Sequence, residues 1–103
     1  MSRTYNIIMI TLMGKKYGSL MLCENGDQVT GILDILGHQN MISGTLSLEG
    51  QCSFSGELVT PIRNIAFLAE GKASASDINL VLRTNKNVMP VSGEIEKESI
   101  EGR

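Results

Sequence analysis

Apolar and polar residues alternate at a period of two through most of this chain, and residues that turn the backbone interrupt them at short intervals. The clearest run is Met41-Ile42-Ser43-Gly44-Thr45-Leu46-Ser47-Leu48-Glu49, with Ile42, Gly44, Leu46 and Leu48 on one side and polar residues between them. That is the period of a half-buried strand, not of a helix. Turn signals stand at Gly14-Lys15-Lys16, Glu24 to Asp27, Gly37 to Asn40, Gly50-Gln51, Pro61 to Asn64, Ala73 to Ser76 and Asn85 to Asn87. Seven turns imply eight strands, and Asn25-Gly26 is the strongest hairpin signal among them.

Residue types also recur at the spacing of one hairpin with its connection. On the odd strands Ile7, Gly31, Gly56 and Leu80 are equivalent, then Met9, Leu33, Leu58 and Leu82, then Thr11, Ile35, Thr60 and Thr84. On the even strands Gly18, Gly44, Ala69 and Gly93 correspond, followed by Leu20, Leu46, Gly71 and Ile95. The expected architecture is therefore all-β: four hairpin repeats closed into an eight-stranded antiparallel up-and-down barrel of the lipocalin or avidin type. Two packed sheets are the rival if the first and last strands do not pair. Inward glycines at 18, 31, 44, 56 and 93 have two readings: sharp bending of a small barrel, or room for a ligand.

The segments Thr11-Leu12-Met13-Gly14, Ile35-Leu36-Gly37, Thr60-Pro61-Ile62 and Thr84-Asn85-Lys86 stand out, with Ser43-Gly44-Thr45-Leu46, Phe54 to Leu58 and Val91-Ser92-Gly93 between them. In these the chain resembles small bacterial β-barrel domains with repeated Thr-Pro-Met-Gly turns, found alone or appended to flavin-type oxidoreductases. The likeness spans nearly the whole chain and departs from the pattern at Arg63 and Asn87, where the repeat's glycine is missing. It implies an accessory role and transfers no catalytic residue.

Of the 103 residues, 19% are charged, and the net charge of −2 argues against a nucleic-acid binder. Ile100-Glu101-Gly102-Arg103 matches a tag-removal protease site, so the expected domain is 1–98 and residues 99–103 are set aside as a remnant of an expression tag. The start has no signal-peptide core and no run is apolar enough to span a membrane, so a cytoplasmic protein without membrane contact is expected. Cys23 and Cys52, 29 positions apart, read as free thiols.

In an up-and-down barrel every turn after an odd strand lies at one end. Lys15, Lys16, His38, Gln39, Asn40, Arg63, Asn64, Asn85, Lys86 and Asn87 should gather there, while Glu24, Asp27, Glu49 and Asp77 collect at the other, with Glu96 and Glu98 near the C-terminus and Lys72 and Arg3 as basic exceptions. Lys15, Lys16, His38, Arg63 and Lys86 are candidate ligand contacts for a small anionic amphiphile, with an inward ring of Thr11, Thr60 and Thr84 offering hydroxyls to its head. Turn conformation alone also explains such residues. Val29, Leu33, Phe54, Leu58, Ile78, Leu82, Leu22 and Leu48 are expected inside, where they line a cavity or simply fill it.

Strand one, Tyr5 to Met13, is apolar on both sides. Ile8 and Ile10, with Met21 and Ile32 on the next strands, are the candidate interface for a homodimer or a larger protein partner. Catalysis has the least support, because the single histidine, His38, lies beside no nucleophile or metal-ligand spacing. The expected function is non-enzymatic: a binding or accessory barrel without cofactor or metal, possible ligands being small and apolar or anionic. The alternative is an interaction or oligomerisation module with a filled core.

Overall fold

The computed structural model describes residues 2–99. Its eight strands are β1 (Ser2–Thr11), β2 (Gly14–Asn25), β3 (Gln28–Ile35), β4 (His38–Leu46), β5 (Gln51–Val59), β6 (Asn64–Ala73), β7 (Asp77–Arg83) and β8 (Val88–Ser99). Each pairs antiparallel with the next, and β1 pairs with β8, so the sheet is a closed up-and-down barrel. The two-sheet rival is excluded by the ladder that runs from Ser2/Ser99 to Met9/Val91. That ladder slips between Thr4 and Tyr5, whose partners are Lys97 and Ile95, leaving Glu96 as an extra residue on β8. A bulge of this kind sharpens the local twist that closure requires.

Alternation decides which side of each strand is buried. In β3, Val29, Gly31, Leu33 and Ile35 are buried, while Gln28 and Thr30 between and before them are exposed. Tyr5, Ile7, Met9, Leu20, Leu22, Phe54, Ile78 and Leu82 are the best-buried large side chains of a single core. Leu48 corrects the expected inward set: β4 ends at Leu46, and Leu48 stands fully exposed in the turn before β5. β8 runs one residue past the expected boundary, to Ser99, and residues 100–103 lie outside the described residues.

The hairpin repeat holds in the odd strands. Thr11/Gly14, Ile35/His38, Thr60/Arg63 and Thr84/Asn87 frame the four equivalent turns. In the even strands the expected register is corrected for the first hairpin. Counted from these turns, Gly18 is equivalent to Ile42, Phe67 and Val91, and Leu20 is the counterpart of Gly44, Ala69 and Gly93.

The inward glycines serve close approach. A Cβ built on Gly18, Gly31, Gly44, Gly71 or Gly93 would lie well inside 3.0 Å of a backbone carbonyl oxygen on a neighbouring strand, respectively that of Asp34, Met21, Ser53, Asn79 or Asn6. Strands fold so tightly over one another at these points that no side chain fits, which is the bending device of a small barrel.

Candidate functional site

The four turns after odd strands form one end of the barrel, and three of them share one device. Thr11 Oγ1 accepts the N–H of Met13 (3.1 Å) and donates to the carbonyl of Gly14 (2.8 Å). Thr60 Oγ1 accepts the N–H of Arg63 (3.1 Å) and donates to its carbonyl (2.6 Å). Thr84 Oγ1 accepts the N–H groups of Lys86 (3.2 Å) and Asn87 (3.0 Å). Such local bonds are what hydroxyl side chains offer a turn. The three hydroxyls expected to face a ligand head make hydrogen bonds within their own turns, Thr11 and Thr60 as donor and acceptor and Thr84 as acceptor. Ile35 has no hydroxyl, and its turn instead places Leu36 and Gly37 at φ 58° and 78°, the conformation of a type I′ hairpin.

Lys15 and Lys16 follow Gly14 at the start of β2 and His38 opens β4, so none of the three is in the loops themselves. Arg63 and Lys86 lie in the loops. All five are at the same end; Lys16 is half-buried and the other four are exposed. Arg83 closes β7 beside them, so five of the chain's nine lysines and arginines gather here. The loop tips themselves carry no carboxylate. They carry instead Leu12 (89% exposed), Met13 (84%) and Ile62 (91%), with Leu36 and Val88 also exposed. Sequence reasoning ran strand one through Met13 and so missed these tips. The available signal was an apolar pair, Leu12-Met13, directly before a glycine.

Below this rim the barrel is shut. Asn40, expected in the rim, is buried, donating from Nδ2 to the carbonyls of Leu33 (2.9 Å) and His38 (3.2 Å) and accepting the Val59 N–H on Oδ1 (2.8 Å). Further in, Leu20, Leu33, Ile42, Phe54, Phe67 and Leu82 close around a void of about 10 Å³, the lower limit for one water. At the opposite end Arg3 Nε faces Glu24 Oε2 at 3.3 Å inside the wall, and the Tyr5 hydroxyl donates to the carbonyl of Ser74 (2.6 Å). Burial raises the Tyr5 pKa, against a smaller lowering by Arg3.

The candidate interface divides. Across the sheet, Ile8 pairs with Tyr17 and Ile10 with Lys15, whereas Met21 pairs with Ile32 and Ile32 with Met41. Between these rows lies a polar one, Asn6, Ser19, Asp34 and Gln39. Ile8, Ile10 and Tyr17 therefore continue into Leu12 and Met13 at the basic end, and Met21 and Ile32 belong to a separate patch with exposed Met41.

Cys23 is exposed and Cys52 buried, both free thiols. Burial pushes the Cys52 thiol up to about 11, opposed by a hydrogen bond with the Gly71 backbone. A thiol held protonated in this way is a poor nucleophile. Asp34 lies on the outward face of β3 and His38 on the inward-facing side of β4, so the two do not face each other. Among the described residues no three His, Cys, Asp or Glu side chains are grouped to hold a metal ion.

No protein-family model and no curated protein matches the chain. Among solved structures it is similar to a redesigned β-barrel, mFAP1, bound to DFHBI, with 12% identity and a TM-score of 0.54 over 91% of this chain and 92% of that one. At that identity the likeness shows the β-barrel fold alone.

Proposed function

We propose that this barrel is a non-enzymatic recognition module that meets its partner with its outer surface, at the basic end, and does not enclose a ligand. The observation that carries this reading is the filled interior, whose void of about 10 Å³ leaves no place for the tail of an amphiphile. The hydroxyls that would have met its head are engaged in turns. Recognition is assigned to the end that combines exposed cations with apolar tips and has no loop carboxylates. Binding by a barrel is consistent with the fold shared with mFAP1, but the ligand of that protein is not carried over. A cytoplasmic setting, with both thiols reduced, belongs to the same proposal.

Two measurements test it. Native mass spectrometry is expected to show the bare chain mass, and a co-purifying species of a few hundred daltons would overturn the solid-core reading. Ion exchange tests the surface: despite a net charge of −2, the protein is expected to bind a cation exchanger at neutral pH and low salt. Lys15→Glu with Arg63→Glu should abolish that retention. Unretained wild-type protein would sink the basic end as a recognition surface.

A homodimer is the second reading, favoured by the pairing of Ile8 with exposed Tyr17 beside Ile10. It requires a dimer mass in sedimentation that Ile10→Glu converts to a monomer.

A further inference from the structure

We infer that the partner of the basic end is an anionic lipid surface, against which the barrel docks end-on with Leu12, Met13 and Ile62 at the boundary between headgroups and acyl chains. The inference rests on the reading of that end as the recognition surface, and it departs from the sequence-based expectation of no membrane contact. The inference is of docking on the bilayer surface and not of spanning it, because the outward side of the wall carries polar residues such as Asn6, Ser43, Thr45, Glu70 and Asn79 where a spanning barrel would place an apolar band.

Three independent features of the end lead to this occupant. The first is how charge and apolar surface are interleaved. The exposed apolar residues come from all four turns, and in three of them a cation is close by in sequence: Leu12 and Met13 have Lys15 and Lys16, Ile62 has Arg63, and Val88 has Lys86, while Leu36 in the fourth has no lysine or arginine near it. The core of a protein interface is contiguous and depleted of charge. A bilayer surface instead takes apolar side chains a few ångströms below a layer of phosphates that bind lysine and arginine.

The second feature is the backbone at the tips. Moving a turn into a less polar medium costs free energy for every amide left without a partner. Here the N–H groups of Met13, Ile62, Arg63, Lys86 and Asn87 are already accepted by a threonine hydroxyl of the same turn. The bonds that form these turns thus also leave the tips prepared for partial desolvation.

The third is the distribution of charge along the barrel. Five cations sit at one end, while Glu24, Asp27, Glu49 and Asp77 lie at or next to the turns of the other, where Arg3 and Lys72 are the cations. Near a negative surface this polarity turns the tips toward the lipid and holds the acidic end away.

Vesicle co-sedimentation tests the inference, with phosphatidylcholine alone and with phosphatidylcholine containing phosphatidylglycerol. Binding is expected only to the anionic vesicles, reversed by high salt. Arg63→Gln and Lys86→Gln should each weaken it about fivefold. Met13→Ser and Ile62→Ser should each weaken it about tenfold while leaving cation-exchange retention unchanged. Because the chain has no tryptophan, Ile62→Trp supplies a probe whose emission should shift to the blue on anionic vesicles. Retention on the exchanger without vesicle binding would overturn the lipid surface, leave the recognition end standing and point to an acidic protein. Loss of both would remove the reading on which the inference rests. Vesicle binding indifferent to the apolar tips, with no blue shift, would overturn their insertion.

Discussion

Asn40 Oδ1 accepts the backbone N–H of Val59 at 2.8 Å, and this bond joins β4 to β5 where their backbone ladder, last seen at Ile42/Gly56, has ended. The same amide donates to Leu33 and His38 carbonyls, so a buried side chain is satisfied at both of its polar atoms. Asn40→Leu leaves the Val59 N–H without this acceptor under the basic rim. It should cost about 2–3 kcal/mol in urea unfolding and speed hydrogen exchange at Val59. An unchanged exchange rate would mean that Asn40 does not hold the wall together.

Gly44 is the most crowded of the inward glycines, its missing Cβ lying nearest to the Ser53 carbonyl. Backbone cannot move aside as a flexible side chain can, so Gly44→Ala should destabilise by about 3 kcal/mol or more. Ser43→Ala, on the exposed face of the same strand, should stay within about 0.5 kcal/mol. Equal effects in thermal melts would refute close approach as the reason for the glycine.

Leu36 holds φ 58° in the β3–β4 turn, the only non-glycine residue with positive φ among those described. A branched side chain gains nothing from that conformation, and asparagine tolerates it better. Leu36→Asn should therefore raise stability by about 0.5–1 kcal/mol, measured by chemical unfolding. The same change removes an apolar residue from the basic end, so a gain in stability together with weaker vesicle binding would separate the two demands on this position.

The two thiols should react in sequence. Cys23 is exposed and should titrate with a thiol reagent in the native protein, whereas buried Cys52 should react only on unfolding. Its pKa, raised from 9.0 to about 11 by burial, also sets a pH dependence. The folded chain keeps a proton that the unfolded chain gives up, so this contribution is complete below pH 9 and is lost as pH rises toward 11. Tyr5, raised by burial as well, acts in the same direction from its ordinary value of 10.0 upward. Cys52→Ala and Tyr5→Phe should each flatten the alkaline fall in melting temperature. A slope unaffected by both would place its origin elsewhere.

Much of the barrel was legible because a strand reports its own two faces. Ile7, Met9, Leu33, Leu58 and Leu82 fall where the alternation put them, and all seven turns occur. The errors cluster where a strand ends. Leu48 continues the pattern of Ile42 and Leu46 but lies beyond the end of β4. Leu12 and Met13 prolong the apolar run of strand one, yet they are loop tips because the chain reverses after Thr11. The outward patch divides for a different reason: parity places Ile8 and Met21 on the outer face but says nothing about their height on the wall. Pairing of Ile8 with Tyr17, four residues from Met21, sets that height.

The sequence by itself determined the strands, their inward faces, the repeated turns and the gathering of cations at one end, because each follows from neighbours in the chain and from the direction in which strands alternate. Only the tertiary structure decided that the barrel is closed and solid, that Gly44 lies under the Ser53 carbonyl and that Asn40 is a buried bridge. These depend on which groups from distant parts of the chain arrive at the same point in space. A period of two carries the side on which a residue lies, but not what stands opposite it.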